Sequence, residues 1–154
     1  MKVYIAGFDV FAADAGARRV RAIEACRARG LVPLHPLDNE AQTSPDIYEG
    51  NVGLIREADV VVANLNPFRG PCEPDAGTAF EVGFARALDK PVWAYADDVS
   101  SMRERMGATD ARGFSVEDFD LPMNLMLAES VTLVQGSFED CLDDLVRQTG
   151  VNQA

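Results

Sequence analysis

A chain of 154 residues with 47% hydrophobic and 25% charged residues can bury one full core, and residues 1–150 are expected to form a single domain ahead of a short tail, 151–154. Its 25 acidic and 14 basic residues give a formal charge of −11, which repels polyanions and argues against nucleic acid as a partner. No apolar run reaches bilayer-spanning length, and Cys26, Cys72 and Cys141 are odd in number and widely spaced, so the expected setting is cytoplasmic and reduced, with no membrane contact, disulfide framework or cysteine metal site.

Residues 2–7 read as a first strand, entered directly without a signal-peptide-like apolar stretch. Residues 15–29 then follow helical spacing, with Val20, Ala22 and Ile23 apolar, Arg18, Arg19, Arg21 and Arg27 solvated, and Gly30 closing the helix. Residues 31–34 form a short second strand. His35 follows it and is the sole histidine, which excludes a multi-histidine metal centre and disfavours Ser–His or Cys–His nucleophiles. Chemistry therefore falls to carboxylates, with no metal and no cofactor expected.

A second helix over 45–58 leads into Asp59-Val60-Val61-Val62-Ala63, a β-branched run that suits a strand buried on both faces. Residues 64–71 are dense in breakers, after which Phe80, Phe84, Ala87 and Leu88 recur at helical spacing. A fourth strand spans 91–96 and a fifth 130–134. The last helix covers 137–148, with Ser137 as N-cap and Phe138, Cys141, Leu142 and Leu145 inward. The polar stretch 97–120 is too long for an idle connection and is expected to be a lid or an interface element. This alternation predicts an α/β fold, flavodoxin-like, with a doubly wound five-stranded parallel sheet and helices on both faces. Its ligand would lie at the carboxyl ends of strands one and three.

The run Asp75-Ala76-Gly77-Thr78-Ala79-Phe80-Glu81-Val82-Gly83 puts two carboxylates at a helix mouth beside that edge. Thr78 and Glu81 fit a capping box, in which Glu81 would serve a backbone N–H. That account asks nothing of Asp75, of the two glycines, or of Asp59 at the strand start. The turn Gly7-Phe8-Asp9-Val10-Phe11 lacks GxGxxG, and the chain holds no GxxxxGK[ST], so neither a dinucleotide nor a nucleoside triphosphate is supported. Clustered acids without a phosphate loop point to group transfer on an uncharged ligand.

Four blocks carry a family resemblance: Val3-Tyr4-Ile5-Ala6-Gly7, Pro36-Leu37-Asp38-Asn39-Glu40, residues 59–83, and Leu121-Pro122-Met123-Asn124-Leu125-Met126. In this order the chain resembles the nucleoside 2-deoxyribosyltransferases. The resemblance implies that Glu81 is a nucleophile holding deoxyribose as a covalent ester, that Asp75 binds sugar hydroxyls, and that Asp59 lies near the base and helps protonate it. It further implies Tyr4 beside the nucleophile, Glu40 at the base, and Asn124 and Met126 lent to a neighbouring subunit's site in an obligate homo-oligomer. Gly7 closes the first block. Phe8 and Phe68 offer ring faces on which a base could stack, whereas Trp93 suits the core; Arg69 is a loop cation that suits solvent, with a base carbonyl as its alternative partner.

The implied reaction moves 2-deoxyribose between a 2′-deoxynucleoside and a free nucleobase by a retaining double displacement, with side hydrolysis. A close carboxylate captures the oxocarbenium-like centre as in retaining glycosidases. The main alternative is a 2′-deoxynucleoside 5′-monophosphate N-glycosidase, whose members tend to carry serine where this chain has Asn124. Phosphoribohydrolases with a GTxxE element are a weaker one, since Glu73-Pro74-Asp75-Ala76 replaces their PGG run. A non-catalytic nucleoside sensor would have no need of the three acids.

Overall fold

A computed structural model describes residues 1–39 and 41–150. Five strands, β1 (Lys2–Ala6), β2 (Val32–Leu34), β3 (Val60–Asn64), β4 (Val92–Ala96) and β5 (Thr132–Gln135), form one sheet in the order β2-β1-β3-β4-β5. Every pairing is parallel. The helices are α1 (Ala15–Arg27), α2 (Ser44–Glu57), α3 (Ala76–Ala87), α4 (Met102–Met106), α5 (Leu125–Ala128) and α6 (Phe138–Thr149), with 3-10 turns at Phe8–Phe11 and Pro36–Asp38. This is the expected α/β architecture.

Strand alternation divides the interior into two cores. Tyr4, Ala6, Val61, Ala63 and Ala94 pack with Ile55 of α2 and with Val82 and Ala85 of α3. Val3, Val60, Val62 and Trp93 pack with Cys26 of α1 and with Cys141, Leu142 and Leu145 of α6. All five residues of β3 are buried, as a central parallel strand covered on both faces requires. Trp93 belongs to the second core and donates its indole N–H to Asp144 at 3.0 Å. β1 neighbours both β2 and β3, so the chain leaves it in opposite directions and a crevice opens at the carboxyl ends of β1 and β3.

Local signals place the helix ends. α1 is followed by Gly30 at φ +69°, and the Leu31 N–H returns to the Cys26 carbonyl. Ser137 caps α6 reciprocally with Asp140. The stretch 97–120 has structure of its own. It contains α4, started by a Ser101/Glu104 capping box, and it folds against residues 121–125. The Met102 N–H donates to the Leu121 carbonyl at 2.7 Å, and Glu117 accepts from Asn124 Nδ2 at 2.5 Å and from the Leu125 N–H at 2.9 Å. None of residues 97–120 lines the cavity at the β1/β3 crevice of this chain. Among the described residues, no helix is long and apolar enough to cross a membrane.

Candidate active site

The crevice floor is built where β1 ends. A Cβ on Gly7 would lie 3.0 Å from Asn64 Cβ and 3.3 Å from Asp9 Oδ2, so the missing side chain lets the turn rest on the end of β3. Asp9 then bridges the two strands, accepting from Asn64 Nδ2 at 2.9 Å and from Arg18 at 2.7 Å. Asn64 Oδ1 in turn accepts the Asn66 backbone N–H at 3.1 Å.

The far wall is the start of α3. Asp75 is its N-cap, and its Oδ2 accepts from the Thr78 N–H at 2.9 Å and the Thr78 hydroxyl at 3.2 Å. The capping box expected from Thr78 and Glu81 is therefore not formed: the helix starts three residues earlier, at a better cap. That shift frees Glu81. One turn into α3, its Oε1 accepts the Tyr4 hydroxyl at 2.5 Å, across to the middle of β1.

Burial dominates the electrostatics of this pair. Desolvation pushes the Glu81 carboxyl up to about 7, the Tyr4 hydrogen bond opposes it, and the Asp75 charge adds to the rise. Tyr4 is held protonated by its own burial and by the Glu81 charge. A carboxyl poised near neutrality in a cleft is suited to nucleophilic or acid–base work.

Glu81 and Asp75 line a cavity of about 320 Å³ together with Gly7, Val10 and Phe11 from the first loop, Pro36, Leu37 and Asn39 after β2, and Ile47 and Asn51 of α2. A smaller cavity adjoins it, sharing Asn51, Gly77 and Glu81 and opening between Tyr48 and Phe80. Asn51 is absent from the expected site, and Phe11 takes the place expected of its neighbours Phe8 and Phe68. Asn51 Oδ1 is buried, with no hydrogen-bond partner among the described residues, in a wall of both cavities. Its signal was legible: Ile47, Asn51, Val52 and Ile55 share a helix face, and an amide in that stripe needs a reason.

The anticipated residues fall into distinct places. Tyr4, Gly7, Asp75 and Glu81 come together. Asp59 does not: it precedes β3 at the amino edge of the sheet, where Oδ2 accepts the Lys2 backbone N–H at 2.6 Å. It lines neither of the cavities that contain Glu81. The expectation that Asp59 protonates a base in this site is corrected by that geometry. Phe8 and Phe68 stack on each other at 4.7 Å, and neither is among the residues lining the Glu81 cavities; Phe11, stacked on Phe68 at 5.7 Å, is. Asn124 caps α5 through Oδ1 and faces a separate cavity with Cys72 and Met106, while Met126 is 73% exposed. Neither lines a cavity that contains Glu81 of its own chain. Glu40 lies outside the described residues.

His35 is buried, and its Nδ1 accepts the Leu37 N–H at 3.1 Å, a structural role. Among the described residues no group of three or more His, Cys, Asp or Glu side chains is placed to hold a metal ion.

A sequence model of the family described as nucleoside 2-deoxyribosyltransferase matches residues 3–126. A Thermofilum pendens protein, assigned by name to the 2′-deoxynucleoside 5′-phosphate N-hydrolases, is 32% identical over 130 residues, covering 79% of this chain and 83% of that one. A solved 2-desoxiribosyltransferase from Leishmania mexicana is 41% identical with a TM-score of 0.86, covering 95% of this chain and 97% of that one. A 2-deoxyribosyltransferase from Bacillus psychrosaccharolyticus shares the fold at 19% identity and a TM-score of 0.60, covering 88% and 87%.

Proposed function

Because the chain belongs to the nucleoside 2-deoxyribosyltransferase family, we propose that it moves 2-deoxyribose between nucleobases through a covalent ester on Glu81. The observation that carries this reading is the buried Glu81 carboxyl, pushed up to about 7 and held by Tyr4 against the wall of the β1/β3 cavity. In its ionised form one oxygen stays on the Tyr4 hydroxyl and the other attacks C1′ of a 2′-deoxynucleoside. The C1′–O bond forms as the C1′–N bond breaks, and the electron pair leaves with the base. A second base then attacks C1′, displaces the carboxylate and yields net retention. Asp75, whose Oδ2 is engaged at the helix cap, offers Oδ1 to a sugar hydroxyl.

Two further elements complete the proposal. The Glu81 cavity is lined by amides, carboxylates and apolar groups and by no basic side chain among the described residues, which favours a free 5′-hydroxyl over a 5′-phosphate. Asn124 and Met126, which line neither Glu81 cavity of their own chain, would serve the site of a second subunit. Exposed Tyr48, Phe80 and Met126 supply apolar area for that homo-oligomer.

The Thermofilum relative favours a second reading, hydrolysis of a 2′-deoxynucleoside 5′-monophosphate by the same carboxylate. One experiment separates the two. The protein is incubated with a deoxynucleoside, or its 5′-monophosphate, and a different free base, and products are resolved by chromatography. Base exchange on the unphosphorylated donor is the expected result. Hydrolysis confined to the monophosphate would replace the transferase by the hydrolase.

A further inference from the structure

The loop between β3 and α3 carries a cation that the reaction just described leaves unused. Arg69 sits in the left-handed backbone region at φ +60°, where a residue with a side chain is uncommon, and the Phe68 N–H closes the loop onto the Glu73 carbonyl at 2.8 Å. This conformation lays the guanidinium 4.7 Å from the Phe68 ring centroid and 5.7 Å from that of Phe11. Phe68 is itself wedged between Phe8 and Phe11, and Phe11 lines the Glu81 cavity. Arg69 takes part in none of the ion pairs formed among the described residues, in contrast to Arg18, Arg19, Arg21 and Arg29. Its exposed charge is thus held by aromatic faces beside Phe11, just outside the residues that line the cavity, and its N–H groups have no hydrogen-bond partner among the described residues.

What such a cation meets follows from the polarity of the cavity. When the C1′–N bond breaks, negative charge develops on the departing base and must be met by a proton or a positive group. Glu81 is committed as nucleophile, Asp75 is tied to the start of α3, and Asp59 is at the opposite edge of the sheet. A guanidinium has only donors, so it pairs with a ring carbonyl and finds no partner in an exocyclic amine.

Resting on the transferase reading, we infer that Arg69 is a specificity-determining residue that selects nucleobases bearing a carbonyl on the edge facing the loop, 6-oxopurines over 6-aminopurines, and stabilises their negative charge as they leave. The base departs with the bonding electron pair and takes its proton from water.

Deoxyinosine and deoxyadenosine, which differ at this edge, are the probes. Single-turnover base release is measured for wild type, Arg69→Gln and Arg69→Lys, with melting temperature as the check on folding. Loss of the fork of donors should slow deoxyinosine by about tenfold or more and deoxyadenosine by less than about threefold, with Arg69→Lys recovering part of the deoxyinosine rate. Equal losses on both donors, no loss on either, or a loss seen only with a 5′-monophosphate donor would overturn the inference. Calorimetric binding of the free bases separates its failure from that of the transferase reading. If wild type releases base from no deoxynucleoside, the transferase reading falls, and hypoxanthine binding more tightly than adenine only while Arg69 is present still upholds the selectivity. Equal affinity for the two bases overturns it.

Discussion

The two edges of the sheet carry the same side-chain chemistry and put it to different uses. At the amino edge Asp59 bonds the Lys2 backbone N–H, and Lys2 pairs with Glu57 at 2.9 Å in side chains about half exposed to water. Such pairs contribute little beyond tying β1 to the junction of α2 and β3. At the carboxyl edge Glu81 is buried against Tyr4, and its protonation is shifted into the neutral range. The difference arises from strand direction. Parallel strands all end at one edge, where their loops converge around a cavity, whereas the other edge is closed by short, solvated connections. The edge to which an acid is brought therefore decides whether it is solvated or buried beside a cavity.

Replacing one acid at each edge gives the largest contrast. Glu81→Gln should lower transfer by about a thousandfold or more, as expected when a nucleophile is removed, while Asp59→Asn should stay within about twofold of wild type in kcat/KM. Steady-state exchange assays on both variants check this, and comparable losses would erase the distinction between the edges. The same Glu81 variant has a signature in stability. Because the folded carboxyl titrates near 7 and the unfolded one near 4.5, the folded state binds more protons between these values, so this group's contribution to stability falls as pH rises through that window and is constant above it. Thermal melts at pH 5 and pH 8 should show wild type losing more stability than Glu81→Gln over that interval.

Mixing subunits tests whether the carboxyl edge is completed by a second chain. Asn124→Ala and Glu81→Ala proteins, each nearly inactive alone, should recover up to about a quarter of wild-type activity when exchanged into shared dimers, since one site in a heterodimer then holds both intact residues. A fully active monomer by light scattering would exclude a shared site.

Tyr4→Phe sharpens the electrostatic account with a smaller effect. The hydroxyl favours the ionised carboxylate, so its loss should raise the Glu81 titration further. The acid limb of the kcat/KM profile, expected near 7 in wild type, should move to higher pH, with a loss of about tenfold at pH 6 and less at pH 9. An unmoved limb would mean that burial alone sets the value. The smallest effect belongs to the amino edge: Asp59→Ala should cost about 1 kcal/mol in denaturant unfolding, through the unpaired Lys2 N–H.

Much of this was readable from residue order. β-Branched runs, helical spacing and the Gly30 and Ser137 signals specify the alternation of strands and helices because each depends on neighbours a few residues away. The prominence of residues 75–83 was likewise legible, since an acid pair at a helix start after a buried strand is a local pattern. Other features were decided only in three dimensions. Asp59 and Asp75 look equivalent in sequence, yet strand polarity sends one to the amino edge and the other to the cavity. Thr78 and Glu81 match a capping box, yet the nearer oxygen of Asp75 takes the Thr78 N–H and releases Glu81 to Tyr4, 77 positions away in the chain. Phe8, Phe11 and Phe68 are three aromatic rings near one turn, and stacking across two loops leaves only Phe11 facing the ligand space. In each case competing local interactions are of similar strength, so the choice falls to contacts that exist only once β1, β3 and α3 are assembled.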